Sequence, residues 1–287
     1  MICAWKELLS ILPQRLRGQL AAWEDSLLEL RLRLNRPVEL VLSRESRWLQ
    51  ETVTQEDLSF CLNAASRYSP WSAATISQGY LTAPGGHRIG ICGEAVMKQG
   101  ALAGIRTVHS LCIRVARDYP GLAKSILFRG QAMLILGAPG WGKTTLLRDL
   151  IRCISLGKGG VKPLRVGVAD ERGELGSGAL RYDLGPRTDV LENCPKAAAL
   201  TMLLRGMSPQ VLAADEITAP EDIRAMEEAA GCGVTLLATA HGGSFEELTL
   251  RTLYRDLLAQ GIFRRFVFIS LDRGNRVYRV TNKEGMP

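Results

Sequence analysis

Two kinds of hydrophobic pattern run along this chain, and the change from one to the other divides it. In the first part, apolar and polar positions alternate. Leu28, Leu30, Leu32 and Leu34 are interleaved with Glu29, Arg31, Arg33 and Asn35, and a period of two places the leucines on one face of a half-buried strand. Asn35-Arg36-Pro37 turns the chain and Val38 to Leu42 returns it. Upstream, Trp5, Leu8, Leu9, Ile11 and Leu12 fall on one helical side, so residues 1–26 read as helical with a break at Pro13. Thr54 with Asp57 fits a capping pattern before a helix over Leu58 to Ser66, and Ser69-Pro70 opens another short helix. Beyond the turn at Ala83-Pro84-Gly85-Gly86, His87 to Val96 and Val108 to Val115 are strand-like. These elements predict a small α+β unit.

After Tyr119-Pro120-Gly121 the pattern changes. A short amphipathic helix over Leu122 to Phe128 is followed by apolar runs without alternation: Ala132 to Leu136, Leu164 to Ala169, Gln210 to Ala214 and Gly233 to Ala240. Strands covered on both faces look like this. Helix-forming segments separate them: Thr145 to Ile154, Pro195 to Arg205, and Pro220 to Ala230. Alternating strands and helices predict an α/β fold with a central, mainly parallel sheet and right-handed crossovers. Phe266 to Leu271 and Val277 to Val280, joined by Arg273-Gly274-Asn275, read as a closing hairpin, and Gly176 to Cys194 as a loop. The expected domains are 1–120 and 121–287, with no internal repeat.

Composition narrows the class. With 46% hydrophobic and 23% charged residues over 287 positions, the chain can bury one large core or two ordinary ones. No apolar run approaches a membrane span and the N-terminus lacks a secretory pattern, so a cytosolic protein is the default. Seven cysteines, scattered and with no C-x-x-C pair, argue against a disulfide framework or a zinc site. The net charge of +7 raises the question of nucleic acid. The excess is spread evenly, with 14 Lys and Arg against 11 Asp and Glu up to Pro120 and 22 against 18 afterwards. No basic run stands out, which argues against dedicated nucleic-acid binding.

The most specific stretch is QAMLILGAPGWGKTTLLRD. Gly137, Ala138, Pro139, Gly140, Trp141, Gly142, Lys143 and Thr144 fill G-x-x-x-x-G-K-[ST] between a predicted strand and a predicted helix that Thr145 opens, the context a P-loop requires. Glycines allow backbone N–H groups to turn inward around a phosphate, and the helix N-terminus adds partial positive charge. Lys143 can reach the β- and γ-phosphates, and the Thr144 hydroxyl can ligate Mg²⁺. The alternative is a Gly/Pro turn that happens to carry Lys-Thr. Residues 137–145 are therefore the candidate nucleotide-binding set.

The other core strands end in polar residues too. Asp215-Glu216 after VLAA fits a Walker B element, with Asp215 on the metal and Glu216 orienting or deprotonating water; the alternative is an acidic helix N-terminus. Asp170-Glu171-Arg172-Gly173-Glu174 gathers three carboxylates around one arginine, any of which can assist Mg²⁺ or position water, unless the segment is only a solvated acidic loop. His241 either senses the γ-phosphate or is satisfied locally as a capping residue. In an α/β sheet, ligands bind beyond the carboxyl ends of the strands, where all of these lie.

These motifs carry a family resemblance. GAPGWGKTTLLRD, DERGEL, DVLENCPKAAALTMLLRGMSPQVLAADEI and ATAHG, with LELRLRLNRPVEL, APGGHRIGICGEAV and SLCIRVAR ahead of them, resemble the stage III sporulation AA family. Its members are ATPases of endospore-forming bacteria, related to type II, type IV and pilus secretion ATPases. The resemblance spans nearly the whole chain. It implies a RecA-like P-loop ATPase domain behind an N-terminal domain, ATP with Mg²⁺, and a homo-oligomeric ring, a hexamer. It also implies membrane-anchored partners in a sporulation secretion complex, reached from the cytoplasmic face of the mother-cell membrane around the forespore. By similarity, 137–144 is Walker A, 170–174 the acidic box, Asp215-Glu216 Walker B and His241 the His box. Lys143, Asp215, Glu216, Glu171, Glu174 and His241 are then catalytic, Thr144, Asp215 and Asp170 serve the metal, and Arg88 and Arg114 act across a subunit boundary. Secretion relatives often carry Gly-Glu where this chain has Asp215-Glu216, and HGGSFEEL lacks the threonine-asparagine continuation of pilus motors. A nucleic-acid-dependent motor or loader is the alternative function.

Overall fold

The structure, a computed structural model, describes residues 1–42, 45–66, 79–98, 100–126, 128–158, 162–176, 182–273 and 275–282. The chain separates into two compact units, Met1–Asp118 and a second from Tyr119 onward.

In the first unit, β1 (Ile2–Cys3) is followed by helices Trp5–Ser10 and Gln14–Leu20, then β2 (Leu27–Arg33), β3 (Pro37–Leu42), β4 (Ser46–Thr52), helix Gln55–Ser66, β5 (Tyr80–Thr82), β6 (Arg88–Lys98), β7 (Ala101–Arg114) and β8 (Arg117–Asp118). Six of these strands form one antiparallel sheet in the order β4-β3-β2-β7-β6-β5, and β1 pairs with β8. Leu30, Leu32, Leu40, Ile89, Leu111 and Ile113 line its inner face and share a core with Leu8 and Leu16 of the first two helices and Leu12 between them. The leucine alternation is interrupted at its start. Leu27 pairs with Leu42 and Glu29 with Val41, so Leu28 is an extra, bulged residue. It is 40% exposed while Leu27 is buried. The helix after Thr54 begins at Gln55. Its capping box is reciprocal, because the Thr54 N–H donates to Asp57 Oδ2 at 2.7 Å and the Asp57 N–H donates to Thr54 Oγ1 at 3.3 Å. The expected helix at Ser69-Pro70 lies outside the described residues.

The second unit contains β9 (Met133–Gly137), helix Lys143–Leu156, β10 (Val166–Asp170), β11 (Thr188–Glu192), helix Lys196–Met207, β12 (Val211–Ala214), helix Pro220–Gly231, β13 (Thr235–His241), helices Phe245–Leu250 and Thr252–Ala259, β14 (Arg265–Asp272) and β15 (Asn275–Asn282). The sheet runs β11-β10-β12-β13-β9-β14-β15. Every pairing is parallel except the β14–β15 hairpin. Alternate residues of the apolar runs enter two cores. Leu134, Leu136, Leu212 and Leu236 face helices Lys196–Met207 and Pro220–Gly231, and Met133, Ile135, Val168 and Leu237 face helix Lys143–Leu156. Two expectations are corrected. Residues read as a loop hold β11, an edge strand paired only with β10 and half-buried at all five positions, which leaves neither an apolar run nor a clean alternation to read. Where an α-helix over 122–128 was expected, Leu122–Ser125 form a 3-10 turn that ends at an extended Ile126. Asp149, 1% exposed, fixes that turn to helix Lys143–Leu156 by accepting the Gly121 and Ala123 N–H groups at 3.0 and 2.7 Å, and it also pairs with Arg152.

The cysteines are free thiols. Only Cys61 is buried, which pushes its thiol up to about 12, whereas Cys92 and Cys232 are exposed. Among the described residues no helix is long and apolar enough to cross a membrane.

Candidate active site

The carboxyl ends of four parallel strands of the second unit converge, and the local sequence explains what each end presents. β9, buried throughout, stops at Gly137, where a Cβ would come within 3.2 Å of Ile269. The loop then turns through Gly140 and Gly142 at φ 76° and 93°, the left-handed region that glycine enters without steric cost. The Trp141 N–H bonds back to the Ala138 carbonyl at 3.3 Å. From β15, the Arg276 Nε–H donates to the Trp141 carbonyl at 2.9 Å. The loop delivers the chain into helix Lys143–Leu156, whose first turn holds Thr144 and Thr145.

Lys143 is 7% exposed. Its ammonium donates to the Gly137 and Ala138 carbonyls at 2.9 and 3.1 Å and to His241 Nδ1 at 3.1 Å. Burial lowers its proton affinity, and the charges of Asp215 and Glu216 oppose that fall. The other imidazole nitrogen, Nε2, lies 2.5 Å from Glu216 Oε1, and Arg172 donates to Glu216 Oε2 at 2.6 Å. Burial alone would raise the Glu216 carboxyl. The His241 hydrogen bond and the charges of Arg172 and Lys143 outweigh it, and the net shift is downward. Glu216 is therefore a carboxylate at neutral pH and can only accept hydrogen bonds. It follows that His241 carries its proton on Nε2 and offers the Nδ1 lone pair to Lys143. His241 thus joins Lys143 to Glu216 through its two ring nitrogens, side-chain partners rather than a backbone cap.

β12 ends at Ala214, so Asp215 and Glu216 emerge at the rim. Asp215 sits between two hydroxyls, with Thr144 Oγ1 donating to Oδ2 at 2.6 Å and Thr239 Oγ1 to Oδ1 at 2.5 Å. Among the described residues no three His, Cys, Asp or Glu side chains form a metal cage. Mg²⁺ in nucleotide sites takes only one or two protein oxygens, the rest coming from phosphates and water. A hydroxyl and a carboxylate in contact at the end of the loop are donors of that kind, so the residues present fit Mg²⁺.

The acidic segment divides its tasks. Both Asp170 oxygens accept backbone N–H groups, of Glu174 at 2.8 Å and of Leu175 and Gly176 at 3.0 Å each. Burial raises the Asp170 carboxyl and these amides pull it back without cancelling the rise. Arg148 holds the same loop through the Leu175 and Glu174 carbonyls. Glu171 reaches Lys196 at 3.4 Å. A cleft of about 20 Å³ opens between the ends of β10 and β12, lined by Asp170, Glu171, Arg172, Glu174, Asp215 and Glu216; it has about the volume one water molecule needs.

Of the residues expected from sequence, 137–145, Asp170, Glu171, Glu174, Asp215, Glu216 and His241 gather in this unit. Arg88 and Arg114 belong to the first unit, where they face each other across β6 and β7. Arg88 stacks 4.1 Å over the Tyr80 ring and Arg114 lies 3.4 Å from Glu29. Sequence reasoning missed Thr239, Lys196, Arg276 and the role of Arg172. Thr239 alone had a signal, a hydroxyl at the end of an otherwise apolar run.

Comparison with known proteins matches residues 5–286 to the family model described as sporulation stage III, protein AA. Stage III sporulation protein AA of Bacillus subtilis (strain 168) is 36% identical over 97% of this chain and 95% of its own length. Among solved structures, the Legionella pneumophila ATPase DotB is similar with a TM-score of 0.58 at 17% identity, over 93% of this chain and 79% of that one. The pilus retraction motor PilT, solved with bound ADP, has a TM-score of 0.62 at 14% identity over 98% and 83%. Such likenesses identify the RecA-like P-loop ATPase fold.

Proposed function

The chain belongs to the sporulation stage III protein AA family, and on that premise we propose that it is a Mg²⁺-dependent ATP hydrolase acting as a ring of identical subunits, a hexamer. In this reading it works at the cytoplasmic face of the mother-cell membrane around the forespore. Its turnover powers or assembles a membrane-spanning channel there, through membrane-anchored partners. The single observation that supports hydrolysis best is the chain Lys143–His241–Glu216, which links the residue that meets the phosphates to the residue that meets the water.

In the proposed mechanism the backbone N–H groups of 137–145, Pro139 excepted, and the Lys143 ammonium bind the β- and γ-phosphates. Thr144 and Asp215 would hold Mg²⁺. There the ion would supply positive charge against the negative charge that develops on the phosphates. Glu216, ionised and fixed by His241, accepts a hydrogen from a water and aims its oxygen at the γ-phosphorus. The new P–O bond forms as the bond to ADP breaks. Asp170 holds the acidic loop in shape, placing Glu171 and Glu174 around the cleft. Arg88 and Arg114 are assigned to the phosphates bound by a neighbouring subunit.

The test is a comparison of nucleotide binding and turnover in three proteins. Lys143→Ala is expected to abolish binding or turnover. Glu216→Gln is expected to keep ATP bound while cleavage slows by about 10²-fold or more. Wild-type hydrolysis by Lys143→Ala would overturn the assignment.

A further inference from the structure

Glu216 has an unusual backbone for its side chain. Its φ is 55°, in the left-handed region that non-glycine residues occupy only when surrounding groups over-determine it. Both of its main-chain polar groups are taken up by buried side chains from other elements. Its N–H donates to Thr239 Oγ1 at 2.8 Å, and Thr239, on β13, is fully buried. Its carbonyl accepts from Lys196 Nζ at 2.8 Å, and Lys196, at the start of helix Lys196–Met207, is 5% exposed.

Neither contact is incidental packing. The Thr239 hydroxyl has one proton, and it goes to Asp215 Oδ1 at 2.5 Å while the oxygen receives the Glu216 amide. One hydroxyl therefore sets the metal-side carboxylate and the backbone of the water-side carboxylate relative to each other. Lys196 is itself located by two carboxylates, Asp222 at 3.5 Å and Glu171 at 3.4 Å. Asp222 is fixed in turn by the Thr218 and Ala219 N–H groups ahead of helix Pro220–Gly231. Turning Glu216 into ordinary extended or helical backbone would break both bonds and swing its carboxylate away from His241 and Arg172.

We propose that Thr239 and Lys196 are positioning residues for the hydrolytic step, which clamp Glu216 from its two main-chain sides and hold its carboxylate at the reacting water. This rests on the reading of Glu216 given above, and the experiment separates the two. Wild type, Glu216→Gln, Thr239→Val, Thr239→Ser and Lys196→Met are compared for folding by thermal melting, for affinity towards a fluorescent ATP analogue with Mg²⁺, and for kcat and KM. Valine keeps the shape of threonine but removes both hydrogen bonds, while serine keeps the hydroxyl.

The expected result is that Thr239→Val and Lys196→Met bind nucleotide with roughly wild-type affinity and KM while kcat falls by about 10²-fold, the scale of a misplaced catalytic group. Thr239→Ser is expected to restore most of the rate. A purely structural role would lower the melting temperature and leave the kcat of the folded protein unchanged. Folded Thr239→Val with wild-type kcat would overturn the proposal, provided Glu216→Gln is slow in the same assay. If Thr239→Val does not fold, a wild-type kcat in Lys196→Met overturns it instead. Unimpaired turnover by Glu216→Gln would strike at the hydrolytic reading itself.

Discussion

His87 shows how much one side chain of the first unit is asked to do. It is fully buried, its Nδ1 accepts the Ala116 N–H at 3.1 Å, and its Nε2–H therefore faces the Ala4 carbonyl at 2.9 Å. Burial depresses its proton affinity below the ordinary 6.5, against the upward pull of the Ala4 carbonyl and Glu7. The neutral ring is the native one, so its stabilising contribution is fully present above the unfolded-state value and is lost as pH falls through the lower folded value. The urea midpoint is expected to drop as pH falls below the ordinary histidine value of about 6.5, and His87→Gln to lower the midpoint at pH 7 and flatten the profile. An unchanged slope in His87→Gln would refute this. Residues of the candidate site were unequally visible. Lys143 and Thr144 announce themselves because a P-loop motif is built from consecutive residues. Lys196 and Arg276 do not, because their partners Glu216 and Trp141 lie 20 and 135 positions away.

The same contrast holds for whole elements. β9, β10, β12 and β13 were readable because helices cover both faces of a parallel sheet, which demands unbroken apolar runs. β11 at the sheet edge has no such demand on it. In β2 the alternation was readable, with Leu30 and Leu32 buried as expected, but its break at Leu28 was not, since a bulge leaves no mark in composition. The bulge makes Leu28 and Leu30, two residues apart and chemically identical, unequal. Leu30→Ala is expected to cost about 2–5 kcal/mol, as a cavity in a packed core does, while Leu28→Ala changes stability by no more than about 0.5 kcal/mol. Denaturant titration of the two variants measures the difference, and equal costs would mean that the leucines share one face.

On the scale of the molecule, the two hydrophobic patterns correspond to two sheets of different kind, an antiparallel one with an outward polar face and a parallel one enclosed by helices. Arg88 and Arg114 stand on that outward face of the first unit, and the proposed ring gives them work in a neighbour. Mixing Arg88→Ala protein with Glu216→Gln protein, each slow alone, is then expected to recover part of the ATPase rate as mixed rings form. Assembly mass recorded with and without Mg-ATP shows whether rings are present. Mixed rings with no recovered activity would remove Arg88 from the role, and the Arg114→Ala mixture tests the second arginine in the same way.

The Asp149 carboxylate ties residues 121–123, where the chain enters the second unit, to the helix whose first turn holds Lys143 and Thr144. Considered mechanically, this is a load path. Tension applied to the backbone at Pro120 is borne by two amides on one buried side chain and passes into the helix that begins at Lys143. A tug on the connector and a strain on the loop 137–142 become the same force at two ends of one lever.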